Sequence, residues 1–209
     1  MKILFFGDSV TDALRNRQES YTDPYGCGYV LFAAGELLRE EPLGYTVLNR
    51  GISGNRIVDL YARVKIDCWN EEPDLISILI GVNEVLHEEA YRNGTELSRF
   101  VRMYETLIED TLSALPGVKL MLCEPFSLRA DESEEQAARY EKVKEYAAAV
   151  KTVAEKYSLP FVPLQGKMDE TAALYGPRSV LRDGVHPTAL GARLIADEWL
   201  RVFRSRQAK

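Results

Sequence analysis

An aspartate and a histidine, Asp183 and His186, stand three residues apart near the end of the chain. The chain has only two histidines, and histidine is the side chain whose unperturbed pKa, about 6.5, suits a general base at neutral pH. At this spacing in a loop, the carboxylate can accept a hydrogen bond from the imidazole and fix its tautomer. The pair therefore predicts the base of an acyl-transfer site. The second histidine, His87, lies in a polar stretch that favours the solvent-exposed surface.

The opposite end of the chain supplies a serine that such a base could activate. Ser9 follows Gly7 and Asp8, directly after an apolar run. A serine hydroxyl is a poor nucleophile until a base removes its proton, and the resulting oxyanion needs preorganised donors. The backbone N–H groups of Ser9 and Gly54 and the side-chain amide of Asn83 are candidate donors. Taken alone, Ser9 could equally cap a helix, so the prediction depends on the set.

These residues would meet only if particular elements bring them together. Short apolar runs alternate with longer segments of helical periodicity. The predicted strands are Lys2–Phe6, Tyr45–Asn49, Asp74–Ile80, Val118–Cys123 and Leu159–Val162. The predicted helices are Tyr29–Arg39, Ile57–Trp69, Glu96–Leu115, Glu134–Tyr157 and Pro187–Phe203. This alternation predicts an α/β fold: a doubly wound, parallel, five-stranded sheet between two helical layers. Sites in such sheets form at the carboxyl ends of the strands, where the candidates fall.

Four motifs in chain order resemble the blocks of the SGNH (GDSL) hydrolase family: Gly7-Asp8-Ser9, Gly54, Gly81-x-Asn83 and Asp183-x-x-His186. The resemblance implies a flavodoxin-like fold and a serine esterase. It implies that Ser9 is the nucleophile, His186 the base and Asp183 the orienting acid. It also implies an oxyanion hole formed by the N–H groups of Ser9 and Gly54 and by Asn83.

Three charged residues next to these motifs are candidates for substrate contact or loop support. Asp8 is either a structural turn carboxylate or a contributor to the electric field of the site. Arg56 either braces the loop after Gly54 or approaches the substrate. Glu84 stands where the family usually has aspartate, so its supporting hydrogen bonds are expected to differ.

A closer likeness concerns three longer segments, Gly7–Asp12, Asn49–Arg56 and Asp183–Thr188. They are similar to those of the SGNH carbohydrate acetylesterases, which include intracellular acetyl-xylooligosaccharide esterases. The likeness implies a small acetylated carbohydrate as substrate. Two other functions stay open: a lysophospholipase or thioesterase acting on longer acyl chains, and a non-catalytic flavodoxin-like domain that binds phosphate through the loop after the first strand.

Composition narrows the remaining classes. A length of 209 residues favours one domain over residues 1–209. The net charge of −6 argues against nucleic acid or an anionic membrane as the main partner. Two distant histidines and three scattered cysteines give no metal spacing, so neither metal nor cofactor is expected. The odd cysteine count and the short opening apolar run, Ile3–Phe6, favour a cytoplasmic location. A homo-oligomer is compatible with all of these observations.

Overall fold

The computed structural model describes residues 1–17 and 24–207. The strands are β1 (Lys2–Gly7), β2 (Thr46–Gly51), β3 (Leu75–Leu79), β4 (Lys119–Cys123) and β5 (Phe161–Val162). The helices are α1 (Ser9–Asp12), α2 (Tyr29–Glu40), α3 (Ile57–Asp67), α4 (Val82–Tyr91), α5 (Leu97–Ala114), α6 (Glu134–Lys156), α7 (Gln165–Tyr175), α8 (Pro177–Val180) and α9 (Ala189–Gln207). A 3₁₀ turn covers Trp69–Glu71.

The strands form one parallel sheet in the order β2-β1-β3-β4-β5. All five residues of β3 are buried, as expected for a parallel sheet covered on both faces. The predicted α/β fold is therefore confirmed, with all five strands close to their expected positions. Strand β5 is shorter than predicted because Pro160 and Pro163 flank it, and neither has an N–H to donate to a ladder.

Each face of the sheet carries its own apolar core. On one face, Phe5 packs against Trp199 of α9 and Tyr29 of α2. On the other, Phe6 belongs to a cluster with residues of α3, α5 and α6, among them Phe100. Side chains on the two faces of β1 thus pack in separate cores. The result is a three-layer arrangement, with the sheet between two layers of helices. Within the two described ranges, no helix combines the length and apolar character needed to cross a bilayer.

Helix α4 was not predicted, although it carries part of the site. Its buried residues cluster in its first half and include the polar Asn83 and Glu84. No apolar stripe at helical spacing therefore marks it in the sequence. The helix follows β3 directly, so it begins at the carboxyl edge of the sheet.

The direction of winding reverses at β1, which lies between β2 and β3. In doubly wound sheets, such a reversal opens a crevice at the carboxyl ends of the two diverging strands. Ser9 follows β1 and Asn83 follows β3, so both lie at this crevice. The fold thereby places the candidate residues where a ligand would bind.

Candidate active site

Ser9 is the first residue of α1, on a tight turn after β1. Asp8 caps this short helix by accepting a hydrogen bond from the Val10 N–H at 2.9 Å. Gly7 leaves no room for a side chain, since a Cβ there would lie 2.5 Å from the Leu79 carbonyl oxygen. The close approach of β1 to β3 and the Asp8 cap together fix the position of Ser9. Its backbone N–H lies at the start of the helix, where N–H groups have no intrahelical partner.

His186 meets Ser9 across 177 positions of sequence. The His186 Nε2 atom lies 3.0 Å from the Ser9 Oγ atom. The other ring nitrogen, Nδ1, lies 2.7 Å from an Asp183 carboxylate oxygen. With a proton on Nδ1 donated to Asp183, Nε2 can accept the proton of Ser9. The three predicted residues thus form one hydrogen-bonded series.

The loop from Asp183 to His186 organises the carboxylate locally. The second oxygen of Asp183 accepts hydrogen bonds from the backbone N–H groups of Val185 (3.0 Å) and His186 (2.8 Å). Partial burial alone would raise the pKa of Asp183, but the hydrogen bonds from His186 and Val185 outweigh it and lower the pKa. The carboxylate is therefore ionised at neutral pH and can stabilise a protonated His186.

Asn83 and Gly54 are the remaining candidate oxyanion donors. A hydrogen bond joins Asn83, at the start of α4, to the loop that contains Gly54. The Asn83 side-chain amide donates one hydrogen bond to the Asn55 carbonyl at 2.9 Å, which orients the amide and leaves its second N–H for a ligand. Gly54 has a φ of +82°. This left-handed conformation accounts for glycine here, because a side chain at this position would strain the backbone.

Glu84 links the start of α4 to the start of α3. It is 1% exposed, and its Oε1 atom accepts a hydrogen bond from the Ile57 N–H at 2.6 Å. Burial raises the pKa of Glu84 to about 8. Burial likewise raises the pKa of Asp8 to about 7. The longer glutamate thus reaches the first residue of α3 and is mostly protonated at neutral pH.

The Arg56 guanidinium donates hydrogen bonds to two different segments of the chain. Its Nε atom donates to Asp59 at 2.9 Å, and its Nη1 atom donates to the Asn93 carbonyl beyond α4. The Arg56 backbone N–H also donates to Asp59. These contacts favour the loop-bracing interpretation of Arg56.

Arg63 was missed by the sequence reasoning, although it joins three parts of this edge. Its guanidinium donates to the Gly7 carbonyl at 3.1 Å, the Arg50 carbonyl at 2.8 Å and the Asn55 side chain at 2.6 Å. It also lies 4.4 Å from the centre of the Phe6 ring. Arg63 therefore links the ends of β1 and β2 to the loop of Gly54. The one signal in the sequence, the i,i+4 pair with Asp67 in α3, resembles an ordinary surface ion pair.

His87 was predicted on the exposed surface, and the structure places it there only in part. The ring is half-buried and packs edge-to-face on Tyr91, with ring centres 5.6 Å apart. Its Nε2 atom lies 3.8 Å from where a Cβ on Gly54 would stand. The second histidine is thus next to an oxyanion loop.

A cavity of about 320 Å³ opens over Ser9 and His186. Its wall also includes Val10, Leu14 and Cys27. The volume is near the lower end of the range of about 300–1,000 Å³ that small-molecule sites occupy. The reacting hydroxyl is therefore accessible from a pocket sized for a small ligand.

The fold and this edge of the sheet define the class of the protein as a carboxylic ester hydrolase. The chain belongs to the GDSL-like lipase/acylhydrolase family, whose sequence model matches residues 5–194. Among characterised proteins, an acetylxylan esterase of Geobacillus stearothermophilus is 36% identical over 205 residues, which cover 96% of this chain and 92% of the relative. The resemblance stated from the four motifs is therefore confirmed.

Solved structures give the same result. A GDSL-like lipase from Parabacteroides merdae superposes with a TM-score of 0.89 at 36% identity, covering 96% of this chain and 94% of the other. The G. stearothermophilus acetylxylan esterase superposes with a TM-score of 0.86 at 31% identity, covering 96% and 93%. Two further structures of that esterase are of catalytic mutants, one with a serine and one with an aspartate replaced by alanine.

Proposed function

We propose that this esterase removes O-acetyl groups from a small acetylated carbohydrate through an acyl-enzyme on Ser9. The observation that carries the proposal is the hydrogen-bonded series from Ser9 through His186 to Asp183. The distance of 3.0 Å between the hydroxyl and the imidazole is within the range for general-base catalysis.

In the first half-reaction, Ser9 Oγ attacks the acetyl carbonyl carbon while its proton passes to His186 Nε2. Asp183 stabilises the imidazolium that forms. The carbonyl oxygen becomes an oxyanion, which accepts hydrogen bonds from the N–H groups of Ser9 and Gly54 and from Asn83. Collapse breaks the bond to the sugar oxygen, which takes the proton from Nε2. The sugar leaves as an alcohol, and an acetyl ester remains on Ser9.

In the second half-reaction, water repeats the sequence. His186 takes a proton from the water, whose oxygen attacks the acetyl carbon. The same donors hold the second oxyanion. Its collapse breaks the bond to Ser9 Oγ, which recovers its proton from His186, and acetic acid leaves as acetate. Asp8, Arg56 and Glu84 act through the loops they hold.

One observation supports an acetylated sugar rather than a longer acyl chain: the characterised relative is an acetylxylan esterase. The catalytic serine and aspartate of that relative agree in type with Ser9 and Asp183. Acyl size is therefore the property that separates this proposal from a lysophospholipase or thioesterase.

The test compares p-nitrophenyl acetate with p-nitrophenyl octanoate, and acetylated xylo-oligosaccharides with a lysophospholipid. We expect acetyl substrates to be preferred, acetate to be released from the sugars and Ser9→Ala to be inactive on all of them. Preference for octanoate and lysophospholipid would replace the proposal with the longer-chain function. Full activity of Ser9→Ala would refute the nucleophile. Failure of a fluorophosphonate probe to label the protein would favour a binding domain.

Two further expectations belong to the same proposal. We propose that residues 1–209 form one domain, because both cores share the one sheet. We also propose a cytoplasmic location, which the three free thiols of Cys27, Cys68 and Cys123 support. Cell fractionation with an antibody against the protein tests the location, and limited proteolysis tests the single domain.

A further inference from the structure

A second cavity adjoins the site, between helices α4 and α6. Its volume is about 370 Å³, within the range of small-molecule sites. Asn83, the side chain assigned to the oxyanion, forms part of its wall. A substrate whose carbonyl lies at Asn83 therefore has this cavity beside its reacting group.

One wall of the second cavity is aromatic. Tyr91 is 74% exposed, and its ring packs edge-to-face on His87 at an interplanar angle of 86°. His87 in turn lies beside Gly54, so the aromatic pair adjoins the oxyanion loop. An exposed tyrosine offers an apolar ring face together with a polar hydroxyl. A pyranose ring has the matching surface, because its C–H groups form an apolar face and its hydroxyls lie around the rim.

The facing wall is polar and carries one guanidinium and two carboxylates, a net charge of −1. Arg139 of α6 donates from Nε to Glu89 at 2.9 Å and from Nη2 to Glu135 at 2.8 Å. Among the residues that the structure describes, none accepts a hydrogen bond from Arg139 Nη1. This wall therefore presents donors and carboxylate acceptors side by side, as vicinal hydroxyls require.

The same wall disfavours other ligands. A phosphate or carboxylate binds best to a guanidinium that is free to form a bidentate pair, whereas Arg139 already serves Glu89 and Glu135. An acyl chain requires a predominantly apolar lining, and here three charged side chains contribute to the wall. A neutral, polyhydroxylated ring fits both the hydrogen-bonding groups of this wall and the aromatic wall.

We infer that the cavity between α4 and α6 binds the sugar unit next to the acetylated one, with its ring stacked on Tyr91 and its hydroxyls bonded to Arg139 and Glu135. This inference rests on the proposed function, and it adds a preference for oligosaccharides over monosaccharides. The sequence offers no such signal, because Tyr91 and Arg139 are 48 positions apart and α4 was not predicted.

The experiment uses the full chain and measures kcat/KM on a mono-acetylated methyl xyloside and on an acetylated xylotriose. We expect Tyr91→Ala to lower the ratio of trisaccharide to monosaccharide about tenfold, mainly through KM, as loss of one stacking contact would do. Arg139→Gln should lower the same ratio severalfold. The matched control is Tyr175→Ala, which removes an equally exposed tyrosine (68%) from α7 and should leave the ratio at the wild-type value.

The outcomes separate the two proposals. If the wild type cleaves both sugars and Tyr91→Ala and Arg139→Gln leave the ratio unchanged, the role of the second cavity is refuted while the proposed function stands. If the wild type cleaves p-nitrophenyl acetate but neither sugar, both proposals fail. An equal loss in Tyr175→Ala would also refute the inference, because the effect would then not belong to this cavity.

Discussion

The two halves of the site are built from different kinds of contact. The proton-transfer half is Ser9, His186 and Asp183, and the side chains of His186 and Asp183 are 41% and 57% exposed. The oxyanion half is Gly54 and Asn83 with their supports, and there Asn83 and Glu84 are only 5% and 1% exposed.

The order of the first half is mostly local. Asp183 binds His186 and the backbone of its own loop, all within three residues, and only the contact with Ser9 is distant. The oxyanion half depends on bonds between loops, from Asn83 to Asn55 and from Glu84 to Ile57. Proton transfer here therefore requires an intact short loop, whereas oxyanion binding requires that several strand ends keep their relative positions.

The largest expected effects lie in the proton-transfer half. We expect His186→Ala to lower kcat on p-nitrophenyl acetate about 10⁶-fold, because no base remains. Asp183→Asn should lower it about 10⁴-fold, since an amide can favour the wrong imidazole tautomer. Melting temperatures should stay close to that of the wild type because both side chains are substantially exposed. A loss below tenfold in either variant would remove that residue from the mechanism.

Asn83→Ala tests the oxyanion half at its reacting group. We expect kcat to fall about 10²–10³-fold, the usual effect of losing one oxyanion donor, with little change in KM. The binding of a phosphonate that mimics the tetrahedral state should weaken in parallel with kcat. If instead KM alone rises, Asn83 binds the ground state and its assignment to the oxyanion is incorrect.

Arg63→Ala tests the links between strand ends. Displacement of the Gly54 loop by about an ångström is enough for a loss of about 10²-fold in kcat. The variant Arg63→Lys should recover little of this activity, because an ammonium group lacks the planar guanidinium that donates to Gly7, Arg50 and Asn55 at once. Added guanidinium ion should restore part of the activity of Arg63→Ala. Activity that follows only the fraction of folded protein would contradict a positioning role.

The smallest effect concerns Glu84. Its pKa is about 8 in the folded protein against an ordinary 4.5, so between these values the folded state holds a proton that the unfolded state has lost. The free energy of unfolding therefore falls as pH rises from about 4.5 to about 8. Glu84→Gln keeps an acceptor for Ile57 and lacks this titration, so its stability relative to wild type should rise with pH.

Urea denaturation at pH 5, 7 and 9 measures that difference for Glu84→Gln. The control is Glu145→Gln, an exposed glutamate paired with Lys142, whose difference from wild type should not follow the same trend. A constant difference between Glu84→Gln and the wild type across these pH values would show that Glu84 is ionised in the folded protein. Asp8 keeps its own contribution of the same sign in all these variants, because burial raises its pKa to about 7.

The two halves of the site also differ in how far the sequence predicts them. Local spacing indicates the Asp183–His186 pair, and the periodicity of apolar residues predicts the five strands. Family motifs indicate Gly54 and Asn83 as oxyanion donors. The sequence does not indicate the hydrogen bond from Asn83 to Asn55 that links the two. Arg63 contacts Gly7 over 56 positions, and Glu84 contacts Ile57 over 27. Such contacts depend on which strands become neighbours, so neither propensity nor periodicity could indicate them.

The hydrogen bond between Ser9 and His186 joins residues at nearly opposite ends of the chain, which has a consequence during synthesis. A growing polypeptide that ends before residue 186 contains the serine and the oxyanion donors but no base. The base loop directly precedes α9, whose Trp199 anchors that helix against Phe5 of the first strand. Ester cleavage on the ribosome should therefore begin only after the last helix has emerged and docked. The appearance of activity during translation can thus time the completion of folding.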